Sequence, residues 1–279
     1  MRRKYMKIKK SYVKNNPCYK EGKKIQVKGL MLHSVGMAQP NAGNFIETFN
    51  ASSYNRACVH AFIDANDGVV YQTLPWNYRG WHSGGSANNT HIGVEMCEPA
   101  TIKYTSGTTI KCTDKEDAQK AVKRTYKSAV SLFAKLCLDY SLNPLGKGVI
   151  VSHHEGYSKG IATNHADPEH LWSGVGVDYS MSKFRKAVKK KLDALKEEKT
   201  KNAPKSMTNK DCPFVVTVTN PELKIRTGAG TNYEYTGENT GDGKFTIVEV
   251  KSGQGSEAGW GKLKSGAGWI GLCYCVRVE

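Results

Sequence analysis

The sequence predicts a mixed α/β domain followed by a small all-β domain. The chain has 279 residues, more than a typical single domain of roughly 100–200 residues. Between residues 25 and 196, short apolar runs alternate with segments of helical periodicity, a pattern typical of a mixed central sheet flanked by helices. Residues 211–279 contain short β-rich runs between glycine-rich turns, which predicts a small barrel. A polar linker is expected at 197–210, and an irregular basic segment at 1–24.

The strands of the first domain are predicted from short apolar runs bounded by polar or turn residues. These runs cover residues 25–35, 59–64, 69–74, 92–97 and 149–152. The second and third runs flank an Asn66-Asp67-Gly68 turn, which predicts a β-hairpin. The first run contains His33 near its end and the last is followed directly by His153, so both histidines are expected at strand ends.

Three helices are predicted in the same domain. A short helix is expected at 44–50. The longest follows Thr113-Asp-Lys-Glu116, which has capping-box spacing, and it should stop at Asn143-Pro144. The last begins near Ser180 and has an apolar face. In the second domain, strands are expected at 214–218, 223–226, 245–250, 260–263 and 269–272.

The net charge of +16 lies in the flanks of the two predicted domains. Residues 1–28 carry +10 and residues 183–210 carry +8, whereas residues 29–182 and 211–279 each carry −1. A nucleic-acid-binding domain usually carries its charge on the binding fold, so no specific nucleic-acid partner is expected. The flanks favour either loose attraction to a polyanion or a simple solubilising role.

Other features exclude further classes of protein. No stretch approaches the ~18 consecutive apolar residues of a transmembrane helix. No apolar stretch of about 7–15 residues follows the basic N-terminus, so no signal peptide is expected. The eight cysteines include no Cys-x-x-Cys pair and are expected to be reduced thiols.

All eight histidines lie between residues 33 and 170, which indicates a site rather than scattered core residues. A hydrolytic zinc ion takes three protein ligands and leaves its fourth position to water. His33, His153 and the loop residue Asp167 are candidate ligands. Glu95 ends an apolar strand in which a charged residue has no structural purpose. It could accept the proton of the water. Spacing leaves alternatives open: His154 competes with His153, and Glu98, Glu155 and Cys97 compete for the other roles.

Five stretches together resemble the ordered motifs of N-acetylmuramoyl-L-alanine amidases, the family that includes phage lysozyme-type amidases and the peptidoglycan-recognition proteins. They are Gly29-Leu-Met-Leu-His-Ser34, Val59-His-Ala-Phe-Ile-Asp64, Trp81-His-Ser-Gly84, His91-Ile-Gly-Val-Glu95 and Ser152-His-His-Glu-Gly156 with His165-Ala-Asp167. The resemblance covers about residues 25–175. It implies the amidase/peptidoglycan-recognition fold and a Zn²⁺ ion held by His33, His153 and Asp167.

The resemblance also implies roles for neighbouring residues. Glu95 matches the general base, and His165 occupies the place of an oxyanion-stabilising residue that is often Lys. Ala61 stands where some members carry a Tyr, which favours a route through Glu95. The substrate contacts implied are His60, Trp81, His82 and Asn89, and structural packing is the alternative for the last three.

The second domain resembles bacterial SH3-like domains, which commonly bind wall peptides. The resemblance rests on Leu223-Lys-Ile-Arg-Thr-Gly-Ala-Gly230, Gly259-Trp-Gly-Lys-Leu263 and Gly268-Trp-Ile270. It implies a wall-binding surface that includes Tyr233, Tyr235, Trp260 and Trp269. The alternative is that the two tryptophans form the core of a small domain.

Together these resemblances indicate a phage or prophage endolysin that cuts peptidoglycan, accumulates in the host cytoplasm and reaches the wall after release. Two other functions stay open. One is a wall peptidase with Cys58 or Cys97 as nucleophile and His153 as base. The other is a peptidoglycan-binding protein without catalysis. The host, the peptidoglycan chemotype and the oligomeric state are not indicated by the sequence.

Overall fold

The computed structural model describes residues 7–202 and 209–278, and the side chains of 198–202 lie outside that description. The chain divides into two compact units, residues 1–195 and 196–279. Parts of three expected segments therefore lie outside the described residues: 1–6 of the basic segment, 203–208 of the linker, and Glu279. No helix among the described residues is long and apolar enough to cross a membrane.

The first unit is built on a six-stranded mixed sheet, whose strands are β1 (Ile8–Lys10), β2 (Gly29–Ser34), β3 (Ala61–Ile63), β4 (Val70–Gln72), β5 (His91–Met96) and β8 (Ile150–Ser152). Their order in the sheet is β1-β4-β3-β5-β2-β8. The β3–β4 pair is the antiparallel hairpin predicted from the Asn-Asp-Gly turn, and the other pairs are parallel. A separate hairpin joins β6 (Ile102–Ser106) and β7 (Thr109–Cys112).

Among the described residues, six α-helices begin in this unit: α1 (Pro17–Glu21), α2 (Ala42–Asn50), α3 (Lys115–Asp139), α4 (His153–Ser158), α5 (Glu169–Val175) and α6 (Met181–Asn202), the last of which extends beyond residue 195. The buried face of α3 packs with that of α6 and with the apolar face of the sheet in one core. The N-cap of α3 is Asp114, one residue beyond the expected Thr113, and its side chain accepts a hydrogen bond from the Asp117 N–H. The mixed α/β fold predicted from the sequence is confirmed.

Two expected boundaries are wrong. Residues 7–24 are not an irregular segment, because β1 pairs in parallel with β4 at the sheet edge and α1 packs its Cys18 into a buried cluster. The expected linker is partly helical, because α6 continues to Asn202. Basic and polar sequences hid both elements, since neither shows the apolar periodicity on which the prediction relied.

From Phe214 onwards, the second unit is built mainly of β-strands. Its strands are β9 (Phe214–Val218), β10 (Lys224–Arg226), β11 (Tyr235–Asn239), β12 (Lys244–Gly253), β13 (Ser256–Leu263), β14 (Trp269–Gly271) and β15 (Cys275–Val278). They form a seven-stranded antiparallel sheet in the order β11-β10-β14-β13-β12-β9-β15 around a separate apolar core. Five of these strands were expected from the sequence. The other two, β11 and β15, lie at the sheet edges and are largely exposed, which removes the apolar signal.

Candidate metal centre

Three buried side chains meet where β2 and β8 end. His33 lies near the end of β2, and His153 is the first residue of α4, directly after β8. These strands pair in parallel, so their carboxyl ends meet at one edge of the sheet. The turn into α4 is fixed by a capping box between Ser152 and Glu155. Asp167, from the loop before α5, completes the group.

The ligand atoms of these three residues converge on one point. His33 Nδ1 lies 3.1 Å from Asp167 Oδ2 and 3.1 Å from His153 Nδ1. His153 Nδ1 lies 3.6 Å from Asp167 Oδ1, and the candidate ligand atoms all lie within 4.8 Å of one another. The three residues are 1%, 5% and 7% exposed. Two facing imidazole nitrogens and one carboxylate match the donor set that zinc prefers.

The structure separates the two adjacent histidines. His153 is buried in the cluster, whereas the His154 side chain is exposed. Two competing carboxylates also have other partners. Glu155 caps α4 and binds Arg185 at 2.8 Å, and Glu98 accepts hydrogen bonds from the Gly36 N–H and the Tyr104 hydroxyl.

Glu95 lies beside the cluster with an unsatisfied carboxylate oxygen. It is paired with His33 in the register of β5 and β2, so both side chains stand on the same face of the sheet. Its Oε2 is buried and has no hydrogen-bond partner among the described residues. Burial raises the pKa of Glu95 to about 8, with His33 opposing the shift and Asp167 and Glu98 adding to it. A buried carboxylate with a free oxygen is suited to accept a proton from water.

His165 lies behind His153 rather than inside the cluster. Its Nδ1 is 3.0 Å from His153 Nε2, the ring nitrogen opposite the converging Nδ1. Thr163, which sequence reasoning missed, contributes a hydroxyl 3.2 Å from His165 Nδ1 and 3.3 Å from His153 Nε2. The side chain of His165 is exposed, so its other nitrogen, Nε2, is the atom that a bound substrate can meet.

The four residues expected to contact the substrate differ in their burial and in their hydrogen-bond partners. His60 is fully buried, and its ring nitrogens engage the Tyr78 carbonyl and the Gly93 N–H, so a direct substrate contact does not fit. His82 is 8% exposed, and its ring nitrogens engage His33 and the His91 carbonyl. Both ring nitrogens of His60 and of His82 are thus engaged within the protein, which supports packing roles for these two histidines.

The remaining two residues of that group lie nearer the surface. Trp81 is half-buried, pairs through its backbone with Cys58, and packs against an apolar cluster. Asn89 is exposed, and its side-chain oxygen accepts a hydrogen bond from Arg79 at 2.8 Å. Both retain surface that a substrate can reach, and no contact in the structure assigns them further.

The two cysteines considered as nucleophiles are fully buried. Burial raises the pKa of Cys97 well above its ordinary value. A hydrogen bond with Cys18 and burial raise the pKa of Cys58. A nucleophilic cysteine needs an accessible thiolate and a lowered pKa, so neither residue has the environment of a peptidase nucleophile.

In the second unit, the two candidate tryptophans are buried and the two candidate tyrosines are exposed. Trp260 and Trp269 are 3% and 7% exposed, so the alternative of a packing role is the one that the structure supports for both. The Trp260 indole N–H donates to the Gln254 carbonyl at 3.1 Å. Tyr233 and Tyr235 are 47% and 40% exposed and remain candidates for a binding surface.

A family profile described as N-acetylmuramoyl-L-alanine amidase matches residues 23–170. The N-acetylmuramoyl-L-alanine amidase XlyA of Bacillus subtilis (strain 168) is 42% identical over 52 residues, which are 18% of this chain and 17% of the length of XlyA. The crystal structure of Staphylococcus aureus hydrolase AmiA in complex with its ligand matches with a TM-score of 0.52 and 23% identity, over 69% of this chain and 86% of that chain. The likeness to AmiA shows a shared fold.

Proposed function

The chain belongs to the N-acetylmuramoyl-L-alanine amidase family, and we propose that it hydrolyses the amide bond between N-acetylmuramic acid and L-alanine in bacterial peptidoglycan. The observation that carries this proposal is the buried convergence of His33, His153 and Asp167 beside Glu95, whose buried Oε2 has no partner among the described residues. Three metal ligands thus lie next to a proton acceptor, which is the arrangement that metal-assisted hydrolysis requires.

Zn²⁺ is the cofactor that this donor set fits. His33 Nδ1, His153 Nδ1 and one Asp167 oxygen would hold it, and three protein ligands leave a fourth position open. When bound, zinc supplies Lewis-acid chemistry, because it acidifies water and polarises a carbonyl oxygen.

Side chains of the protein then transfer the proton and stabilise the developing negative charge. Glu95 accepts a proton from the attacking water and can return it to the leaving amide nitrogen of L-alanine. The side chain of His165 is exposed, and its Nε2 can donate a hydrogen bond to the carbonyl oxygen as negative charge develops there. The nearby Thr163 hydroxyl lies 3.2 Å from His165 Nδ1 and helps to orient the ring.

We assign the second unit to wall binding through an SH3-like fold. Support comes from its separate all-β sheet and from the exposed rings of Tyr233 and Tyr235. Exposed tyrosines offer flat amphipathic surface to peptides. A phage or prophage origin, with action on the wall after release from the host cytoplasm, completes the proposal and rests on the motif resemblance alone.

Metal analysis of single-residue variants tests the metal centre. The purified protein should contain about one zinc per chain, and His153→Ala should lose it because two protein ligands are too few. His154→Ala is the matched control, since its exposed side chain lies outside the cluster. The proposal fails if the wild-type chain binds no zinc, or if His154→Ala loses the metal while His153→Ala keeps it.

A further inference from the structure

We propose that His82 is a positioning residue that fixes the tautomer of His33, so that Nδ1 of His33 carries the lone pair that binds the metal. This inference rests on the proposed metal centre. The proposal gives His82 the role of orienting the metal ligand His33. The sequence motif had instead implied that His82 contacts the substrate.

The hydrogen-bond chain starts from a backbone carbonyl. His82 Nε2 lies 3.0 Å from the carbonyl oxygen of His91, and a carbonyl can only accept a hydrogen bond. His82 Nε2 must therefore carry the hydrogen. In a neutral imidazole the other nitrogen is then an acceptor, so His82 Nδ1 accepts.

The same logic continues one ring further. His82 Nδ1 lies 3.0 Å from His33 Nε2, so His33 Nε2 must be the donor and carry the hydrogen. The remaining nitrogen of His33, Nδ1, then has a free lone pair. That atom is the one that lies 3.1 Å from both Asp167 Oδ2 and His153 Nδ1. A chain of two hydrogen bonds thus selects the metal-binding tautomer.

The fold makes room for this ring. Gly93 of β5 stands on the same face as Glu95, and a Cβ at Gly93 would clash with Cγ of His82. A Cβ at Gly80 would lie 2.9 Å from Cδ2 of the same ring. The backbone N–H of His82 donates to Asn88 Oδ1 at 2.9 Å, which holds the loop in place. Two glycines and an asparagine therefore shape a dedicated slot for His82.

Three full-length variants test the proposal by zinc affinity. His82→Phe keeps an aromatic ring but has no acceptor for His33 Nε2–H. His82→Asn places an amide oxygen near the position of Nδ1 and can restore that acceptor. His91→Phe is the matched control, because it keeps the backbone carbonyl to which His82 donates and changes only a ring that bonds to the Gly148 carbonyl; His91 is 7% exposed against 8% for His82.

Zinc dissociation constants are measured by competition with a chromophoric chelator. Loss of the partner of a metal-binding histidine typically weakens metal affinity about 10–100-fold. We expect that loss for His82→Phe, a change of only about threefold for His82→Asn, and no such loss for His91→Phe. Wild-type affinity in His82→Phe overturns the proposal. Equal losses in His82→Phe and His82→Asn also overturn it, because the acceptor would then not be what matters.

A direct measurement on the unmodified chain does not depend on variants folding. In the zinc-loaded protein labelled with ¹⁵N, long-range ¹H–¹⁵N correlations report which nitrogen of His33 carries hydrogen. The proposal expects hydrogen on Nε2 of His33 and on Nε2 of His82. Hydrogen on Nδ1 of either ring contradicts it. If the wild-type chain binds no zinc at all, the proposed function fails instead, so the two failures are distinguishable.

Discussion

At the scale of single residues, the environment of Glu95 explains how a carboxylate becomes a base. Glu95 sits in a strand whose other members form the core, so its charged form is poorly solvated. Burial raises its pKa to about 8, and the positive charge that His33 can carry opposes that rise. A positive charge at the centre of the cluster would favour the carboxylate further, for the same Coulombic reason.

Glu95→Gln should lower turnover without changing zinc binding. The amide fills the same space and hydrogen-bonds, but it cannot accept a proton, and general-base catalysis contributes roughly 10²–10⁴-fold. We expect turnover on soluble muropeptides to fall by about that factor while zinc content stays at the wild-type level. Glu98→Gln is the control, since Glu98 is occupied by Tyr104 and Gly36. Near-wild-type turnover in Glu95→Gln would move the base elsewhere.

The same variant should also change how stability depends on pH in the metal-free protein. The pKa of Glu95 in the folded state is about 8, above the ordinary 4.5, so its stabilising contribution is present below pH 4.5 and is lost as pH rises through 8. The Gln variant lacks this titration. Urea unfolding should therefore show wild type losing on the order of a few kcal/mol relative to Glu95→Gln between pH 5 and about 8.5. A constant difference across that range contradicts the shift.

Sequence spacing predicted the cluster but not its details. It placed His33 and His153 at strand ends, and the parallel pairing of β2 with β8 brings those ends together. It could not choose between His153 and His154, because that choice depends on how α4 begins. Nor could it show that His82 bonds to His33, because that contact joins a loop to a strand across 49 residues.

At the scale of elements, strands with apolar runs were predicted well, while polar elements were missed. Both β1 and α1 lie in a sequence rich in lysine, where charge hides the packing signal. Hydrogen bonds of the buried Asn16 side chain anchor this segment. The amide nitrogen of Asn16 donates to the carbonyls of Phe49, Tyr54 and Ala57, and its Oδ1 accepts from the Cys18 N–H at the start of α1.

Asn16→Ala should therefore destabilise the first unit. Asn16 is fully buried, and its removal leaves a helix without its N-cap and three carbonyls without this donor. We expect a loss of about 2–4 kcal/mol in the free energy of unfolding, measured by urea denaturation. Asn15→Ala is the control, because the Asn15 side chain is exposed. Equal stability of the two variants would contradict the anchoring role of the Asn16 hydrogen bonds.

At the scale of the whole molecule, the proposed chemistry and the proposed targeting lie in different units. Every residue of the metal centre precedes residue 196, and the exposed tyrosines belong to the second unit. Residues 205–279 fused to a fluorophore should bind susceptible cells. Binding should persist in moderate salt, since residues 211–279 carry a net charge of only −1 and little attraction is available to screen.

A residue 205–279 fusion with Tyr233→Ala and Tyr235→Ala provides the comparison, because it removes exposed rings without touching the buried tryptophans. Weaker binding supports a tyrosine surface. If the unmodified fusion does not bind and lysis by the full chain falls steeply with salt, targeting comes from the basic flanks instead.

Mass analysis of peptidoglycan digested by the full-length protein tests the central claim most directly, because it identifies the bond that is cut. The account predicts stem peptides with a free L-alanine amino group, together with glycan strands whose N-acetylmuramic acid has lost its peptide. Both products should be lost with His153→Ala, and their rate of formation should fall roughly 10²–10⁴-fold with Glu95→Gln. Cleavage within the stem peptide or between sugars, or intact peptidoglycan after treatment with zinc-loaded protein, would contradict it.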